Sequence, residues 1–170
     1  MKNLTEHVFL IGFMGVGKTS TSRALSRQLN VKEIDTDAMI VDKAGMAISD
    51  IFAKQGEEAF RQMETALLDE IAAMKPCIVS CGGGMVMRPE NVEKMKKQGK
   101  IVLLSATPET IYSHVKDSTA RPLLNGNMNV EYIAGLMKQR EPAYEAAADY
   151  KIVTDELNPR KVAEKITQLL

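Results

Sequence analysis

The densest chemistry in the chain lies in one loop, Gly12-Phe13-Met14-Gly15-Val16-Gly17-Lys18-Thr19, which follows the apolar run Val8-Phe9-Leu10-Ile11. Its spacing is G-x-x-x-x-G-K-[ST], the cradle for a nucleotide's phosphates. Gly12, Gly15 and Gly17 allow backbone angles that side chains forbid, so successive N–H groups can turn toward one anion. Lys18 brings a mobile positive charge to the outer phosphates. The Thr19 hydroxyl is placed to meet a magnesium ion that those phosphates carry. Ser20 to Leu29 continue without Gly or Pro, with Leu25 and Leu29 on one face, so a helix aims its positive end at the same point.

The acidic groups come next. Asp35 and Asp37 straddle Thr36 after the run Val31-Lys32-Glu33-Ile34. The strand candidates 77–80 and 100–104 offer no Asp at their ends, so Asp35 is the best available magnesium partner. Asp37 opens a helix and reads either as its N-cap or as a carboxylate that orients, or deprotonates, a substrate hydroxyl. Arg61 follows Glu57 by one helical turn, which fits a surface ion pair as well as a ligand contact. Arg140 precedes Glu141-Pro142. Arg121 sits in the small, polar stretch 116–127, where it is either a solvated loop charge or the working residue of a mobile lid. Gly82-Gly83-Gly84 costs backbone entropy at a strand end, which close approach of a ligand would explain.

The elements that must position these groups alternate along the chain. Strands are expected at 7–11, 31–34, 77–80, 100–104 and 150–154. Helices are expected at 18–29, 36–44, 49–54, 57–74, 88–97, 108–115, 130–147 and 159–170. Phe60, Met63, Leu67, Ile71 and Met74 form the core-facing stripe of the long fourth helix. Strands separated by helices predict a three-layer α/β/α domain with a five-stranded parallel sheet, and ligands at the carboxyl edge of its strands. The chain has 170 residues, with 22 basic and 22 acidic side chains, and no linker, so one domain over 1–170 is expected. Balanced charge gives no reason to expect nucleic acid. No run approaches the ~18 apolar residues of a membrane span, and the first residues lack a secretion signal. In a strand Cys77 and Cys81 would stand ~13 Å apart, too far for a disulfide. A cytoplasmic protein with reduced thiols is the expectation.

Taken together, these motifs resemble those of shikimate kinases, small P-loop kinases related in fold to nucleoside monophosphate kinases. The resemblance rests on Gly12–Thr19, Asp35-Thr36-Asp37, Ile51-Phe52 with Gly56-Glu57, Phe60-Arg61 with Glu64, Gly82-Gly83-Gly84, Arg121-Pro122-Leu123-Leu124, Arg140 with Pro142 and Tyr144, and Asn158-Pro159. It implies transfer of the γ-phosphoryl group of ATP to the 3-hydroxyl of shikimate, with magnesium, in aromatic amino-acid biosynthesis. It also implies a monomer without membrane or nucleic-acid partners. Carried onto this chain, the ATP site would comprise Gly15, Val16, Gly17, Lys18, Thr19, Ser20, Arg121 and Pro159, with Asn158-Pro159 bordering adenine. Arg61 and Arg140 would clamp the substrate carboxylate, helped by Gly82, Gly83 and Gly84. Asp37 would bind ring hydroxyls, and Phe52 and Phe60 would wall the pocket. Lys18, Asp37 and Arg121 would be catalytic, and Thr19 and Asp35 would hold the metal. The substrate region would span 33–61 and the lid 114–128.

Two departures stand out. Many shikimate kinases carry further arginines just before Arg-Pro-Leu-Leu, one of which stacks on adenine; here the stretch reads His114-Val115-Lys116-Asp117-Ser118-Thr119-Ala120, leaving His114 or Lys116 as the substitute. Leu157 stands where some members have an arginine before Asn-Pro. The rival readings are a gluconate or nucleotide kinase on the same fold, a nucleotide-binding domain without catalysis, and a guanine-nucleotide switch. Asp42-Lys43-Ala44-Gly45 superficially fits that switch, but no N-K-x-D follows.

Overall fold

Strand β1 (His7–Ile11) is buried at every position. Neighbouring side chains in a strand point to opposite faces, so helices must cover this sheet on both sides. The computed structural model, which describes residues 3–116 and 129–170, bears this out. Around β1 stand β2 (Glu33–Asp35), β3 (Ile78–Ser80), β4 (Gly99–Ser105) and β5 (Tyr150–Val153), all parallel in the order β2-β3-β1-β4-β5. The helices among the described residues are α1 (Lys18–Leu29), α2 (Thr36–Ala44), α3 (Ile48–Gln55), α4 (Glu57–Ala72), α5 (Pro89–Gln98), α6 (Pro108–Val115), α7 (Val130–Ala147) and α8 (Pro159–Leu169). Helix α1 packs on α8, while α5 packs on α4 and β4. None of the helices is long and apolar enough to cross a membrane.

The order places β1 at the point where the chain turns from one side of the sheet to the other. Ligands of such sheets bind outside the carboxyl ends of the strands at that switch point, and the Gly12–Thr19 loop leaves β1 there. The core runs from Phe9, Leu10 and Ile11 through Leu67, Leu68, Ile71, Val79 and Val102. Of the expected α4 stripe, Phe60, Leu67 and Ile71 are fully buried, whereas Met63 and Met74 only lean against the core.

Several boundaries differ from expectation for local reasons. Strand β2 starts at Glu33 rather than Val31, because both backbone groups of Val31 are tied to the end of α1. Its N–H donates to the Ser26 carbonyl (3.1 Å) and its carbonyl accepts from Ser26 Oγ (2.5 Å). Cys77 lies outside β3, its N–H donating to His7 Nδ1 at 3.1 Å. A short 3₁₀ turn at Met85–Met87, unforeseen in the sequence, follows the three glycines. Helix α7 runs on through Pro142, which cannot donate a backbone bond. Both cysteines are free and buried, and burial pushes both thiols above their ordinary range, away from reactive thiolate.

His7 locks the floor of the sheet. Its Nε2 lies 2.9 Å from the Ile71 carbonyl and must carry the proton, because Nδ1 already accepts from Cys77. The ring, 4% exposed, therefore ties the end of α4 to the entry of β3. Replacing His7 by Phe keeps the bulk but orphans the buried Cys77 N–H, while the Ile71 carbonyl keeps the Met74 N–H at 3.0 Å. We expect a loss of about 1–3 kcal/mol in urea denaturation, with ligand binding at the opposite sheet edge retained. Unchanged stability would show that the ring bonds are dispensable.

Candidate active site

The loop after β1 is shaped by what surrounds it. A side chain at Gly12 (φ +149°) would place its Cβ 2.5 Å from the Leu104 carbonyl oxygen, so only glycine lets the loop leave the sheet here. Val16 N–H donates to the Phe13 carbonyl at 3.1 Å, closing a tight turn in which Gly15 takes φ +85°. Lys18 Nζ donates to the carbonyls of Gly12 (2.7 Å) and Phe13 (3.1 Å), which holds the ammonium over the loop. Helix α1 begins at Lys18, directing its N-terminal amides toward the same space.

The Asp-Thr-Asp tripeptide joins this loop to the next strand edge. Thr19 Oγ1 donates to Asp35 Oδ2 at 3.2 Å. The other Asp35 oxygen accepts from Ala38 N–H at 3.0 Å, so Asp35, not Asp37, is the N-cap of α2. Thr36, fully buried, accepts the Gly82 N–H at 2.9 Å. Asp37 is thereby released from capping, and its Oδ1 lies 2.7 Å from where a Gly82 Cβ would stand. Thr19 and Asp35 present hard oxygen donors, the kind magnesium prefers. Among the described residues no group of three or more His, Cys, Asp or Glu could hold a metal. A cation at Thr19 and Asp35 would take its other ligands from phosphate and water.

Charged side chains converge on the three glycines. Glu64 Oε2 lies 2.8 Å from the same imagined Gly82 Cβ. Arg140 Nη1 lies 3.0 Å from that of Gly83, and the Arg61 guanidinium 2.5–2.7 Å from that of Gly84. A methyl group at Gly82 or Gly84 would therefore overlap these side chains. Glu64 has no exposed surface and pairs with Arg61 at 2.8 Å, while Glu57 holds the other side of that guanidinium at 3.2 Å. Arg61 rests over the Phe60 ring (5.2 Å) and Phe60 against Phe52 (5.3 Å). Arg140 lies over Phe13 at 5.8 Å. The Tyr144 hydroxyl donates to the Gly83 carbonyl at 2.5 Å, fixing that peptide. Burial raises the Tyr144 phenol above its ordinary value, against the pull of Arg140. Arg140 Nη1 and Glu64 Oε2 are buried without a hydrogen-bond partner among the described residues. Such groups are costly, and a ligand carrying an acceptor and a hydroxyl would relieve both.

A cleft of about 410 Å³ unites the two halves, a size suited to small molecules. Gly15, Val16, Gly17, Lys18, Thr19, Ser20, Asp35, Asp37, Gly82, Gly83 and Pro159 line it, as the sequence suggested. Arg61, Gly84, Phe52 and Phe60 stand outside that lining, joined to it through the glycines; Arg140 joins it at Gly83. Arg121 and lid positions 117–128 lie outside the described residues. Asp37 as N-cap is corrected to Asp35. The Arg61–Glu57 surface pair exists, but it is the weaker half of a pairing dominated by buried Glu64. Sequence reasoning quoted Glu64, Thr36 and Tyr144 without giving them roles. For Glu64 a signal was present: it lies on the Phe60, Leu67, Leu68, Ile71 face of α4, where an acid has no business unless paired.

Burial is the largest influence on Glu64 and raises its carboxyl above the ordinary range; Arg61 opposes this, and Asp37 adds to it. A carboxyl raised in the folded state costs stability once ionised. That cost is present above the folded pKa and disappears as pH falls through it toward the unfolded value. Comparing urea melts of the wild type and Glu64→Gln at pH 7.5 and pH 5, we expect the balance to move toward the wild type at pH 5. Movement toward the variant would reverse the sign of the Glu64 contribution.

Comparison with known proteins agrees with this geometry. The family profile described as shikimate kinase matches residues 14–170. A shikimate kinase of Thermodesulfovibrio yellowstonii is 41% identical over 161 residues, covering 95% of this chain and 92% of that protein. The solved shikimate kinase from Acinetobacter baumannii, in complex with shikimate, superposes with a TM-score of 0.92 at 35% identity, covering 96% of this chain and 92% of that one. A gluconokinase from Sinorhizobium meliloti (TM-score 0.62, 14% identity) covers 99% of this chain and 95% of its own, and shares the fold alone. Matched by the family profile over residues 14–170 and 41% identical to a curated relative over nearly its whole length, the chain belongs to the shikimate kinase family.

Proposed function

We propose that this protein transfers the γ-phosphoryl group of ATP to the 3-hydroxyl of shikimate, giving 3-phosphoshikimate and ADP in aromatic amino-acid biosynthesis. The observation that carries this reading is the buried Arg140 Nη1, without a partner among the described residues and 3.0 Å from where a Gly83 Cβ would stand, on the ribbon that Arg61 also meets. Two guanidinium groups suit a carboxylate because each offers paired donors to its two oxygens. Asp37, across Gly82, suits a hydroxyl. Shikimate carries both groups on one small ring. Phe52 and Phe60 back the Arg61 side of that pocket.

Each site residue then has a part in the reaction. Asp37 binds the hydroxyl that is phosphorylated and orients its oxygen toward the γ-phosphorus. That oxygen bonds to phosphorus as the bond to the ADP oxygen breaks, and the hydroxyl proton leaves along its hydrogen bond to the Asp37 carboxylate. Gly15, Val16, Gly17, Thr19 and Ser20 receive the phosphates, and Pro159 borders the base. Lys18 exchanges its carbonyl partners for the outer phosphates, neutralising charge on the moving group, and Arg121 joins it from the lid at 114–128. Thr19 and Asp35 would hold magnesium, which would supply further neutralisation of phosphate charge. Residues 33–61 form the substrate region of a single domain spanning 1–170. The enzyme acts as a monomer. It works in the cytoplasm, with both cysteines reduced.

A coupled assay for ADP release tests the reading. Turnover is expected with shikimate and MgATP, and none with gluconate; the reverse preference would refute the substrate. Arg61→Lys and Arg140→Lys are expected to raise the KM for shikimate by about 10- to 100-fold, through loss of charged paired bonds, with little change for ATP. Lys18→Ala is expected to lower kcat by about 100-fold or more while the circular dichroism spectrum is kept. Near-normal turnover would remove Lys18 from the mechanism.

A further inference from the structure

Helix α6 meets the phosphate loop at Gly15. His114 Nδ1 lies 2.7 Å from the Gly15 carbonyl oxygen. A carbonyl can only accept, so Nδ1 carries the proton and donates. Gly15 is also pressed from the same side. A Cβ there would run into Val115 Cγ1 and would stand 3.6 Å from Ile111 Cγ2, both on α6. Two independent features, a hydrogen bond and a steric contact, thus fix this glycine against one helix.

The bond acts on one peptide plane. In a trans peptide the carbonyl and the following N–H point to opposite sides. The N–H of this unit belongs to Val16 and donates inward to the Phe13 carbonyl at 3.1 Å. Its carbonyl belongs to Gly15 and is held outward by His114. The Gly15–Val16 peptide is therefore clamped at both ends. Glycine at φ +85° has little conformational preference of its own, so an outside hold has something to correct. Helix α6 is a firm anchor for it. At its other end, Asp155 Oδ1 accepts from Thr107 N–H (2.9 Å), Thr107 Oγ1 (2.9 Å) and Thr110 Oγ1 (2.8 Å). Asp155 adjoins Thr154 and Leu157, which line the nucleotide side of the cleft.

We propose that His114 is a positioning residue of the phosphate cradle: by holding the Gly15 carbonyl outward it fixes the Gly15–Val16 peptide, and with it the turn from which the other N–H groups of the loop face the triphosphate. This rests on the reading of the loop as the ATP site. The residue acts on nucleotide affinity, and the acceptor half of the cleft is untouched by it.

The test uses the full chain and three substitutions, with MgATP binding by calorimetry and steady-state kinetics with shikimate. His114→Ala is expected to weaken MgATP about 3- to 10-fold, in both Kd and KM, the value of one hydrogen bond at a solvent-accessible site. The KM for shikimate and kcat should stay within about twofold. His114→Asn carries an amide N–H at the same distance along the side chain as Nδ1, so it should restore most of the affinity. His114→Gln places its amide one bond farther out and should behave like His114→Ala. Full MgATP affinity in His114→Ala, equal damage in His114→Ala and His114→Asn, or a parallel rise in the KM for shikimate would each overturn the role. Wild-type protein that fails to bind MgATP would overturn the nucleotide site itself, and the role of His114 with it.

Discussion

Everything in the cleft depends on three consecutive residues having no side chains. The ribbon Gly82-Gly83-Gly84 is the surface on which Asp37, Glu64, Arg140 and Arg61 meet, each at a distance that a Cβ would contest. Two acids and two guanidinium groups brought this close must neutralise one another, because isolated buried charge is far more costly than any packing gain. Arg61 and Glu64 do so directly, at 2.8 Å. The neutralisation is incomplete among the described residues, since Arg140 Nη1 and the second Glu64 oxygen, Oε2, are left buried and unmatched. A site with spare hydrogen-bonding capacity on a rigid floor is preorganised for a ligand, and affinity gained this way needs no rearrangement of the protein.

The floor is rigid because three separate elements grip it. Thr36, at the start of α2, takes the Gly82 N–H, Tyr144 on α7 takes the Gly83 carbonyl, and α4 lays Arg61 over Gly84. Glycine is the most expendable residue for stability and the hardest to hold in place, since it loses the most freedom on folding. Here the cost is offset by fixing each peptide with a bond from a different direction. The 3₁₀ turn at Met85–Met87 completes the arrangement: Met85 N–H returns to the Gly82 carbonyl at 3.1 Å and Met87 N–H to the Gly84 carbonyl at 3.1 Å.

Much of this architecture was legible in the residues alone, and the part that was not has a physical reason. The phosphate loop, the order of strands and helices, and the ends of α1, α2, α6 and α7 follow from local signals: glycine spacing, apolar periodicity, and Pro or Thr at helix starts. The start of β2 and the 3₁₀ turn escaped because they are set by a side chain on the preceding helix or by a turn with no composition of its own. The role of Glu64 escaped for a different reason. Its place on the Phe60, Leu67, Leu68, Ile71 face marks it as buried, but nothing local names what it faces, and only the packing of α4 beneath the glycine ribbon makes it the innermost charge of the site. Asp37 illustrates the same limit. Either aspartate of the tripeptide could have capped α2, and the choice was decided by Thr19, which holds Asp35 in the capping position and leaves Asp37 to face Gly82.

That choice also explains how two half-sites can work as one. Asp35 bonds to the phosphate loop and to the first turn of α2, Thr36 bonds to the glycine ribbon, and Asp37 faces the ribbon and Glu64. Three adjacent residues thus tie the nucleotide side to the proposed acceptor side without any long-range strain. Phosphoryl transfer asks for in-line placement of a hydroxyl oxygen and a phosphorus atom, and it tolerates little error in their separation. Two substrates bound on independent loops would inherit the motions of both. Bound on either side of a tripeptide clamped at three points, they inherit the motion of one short segment. The short pairing of β2 with β3, three residue pairs, is enough for this because the tripeptide is fixed by side-chain bonds rather than by strand length.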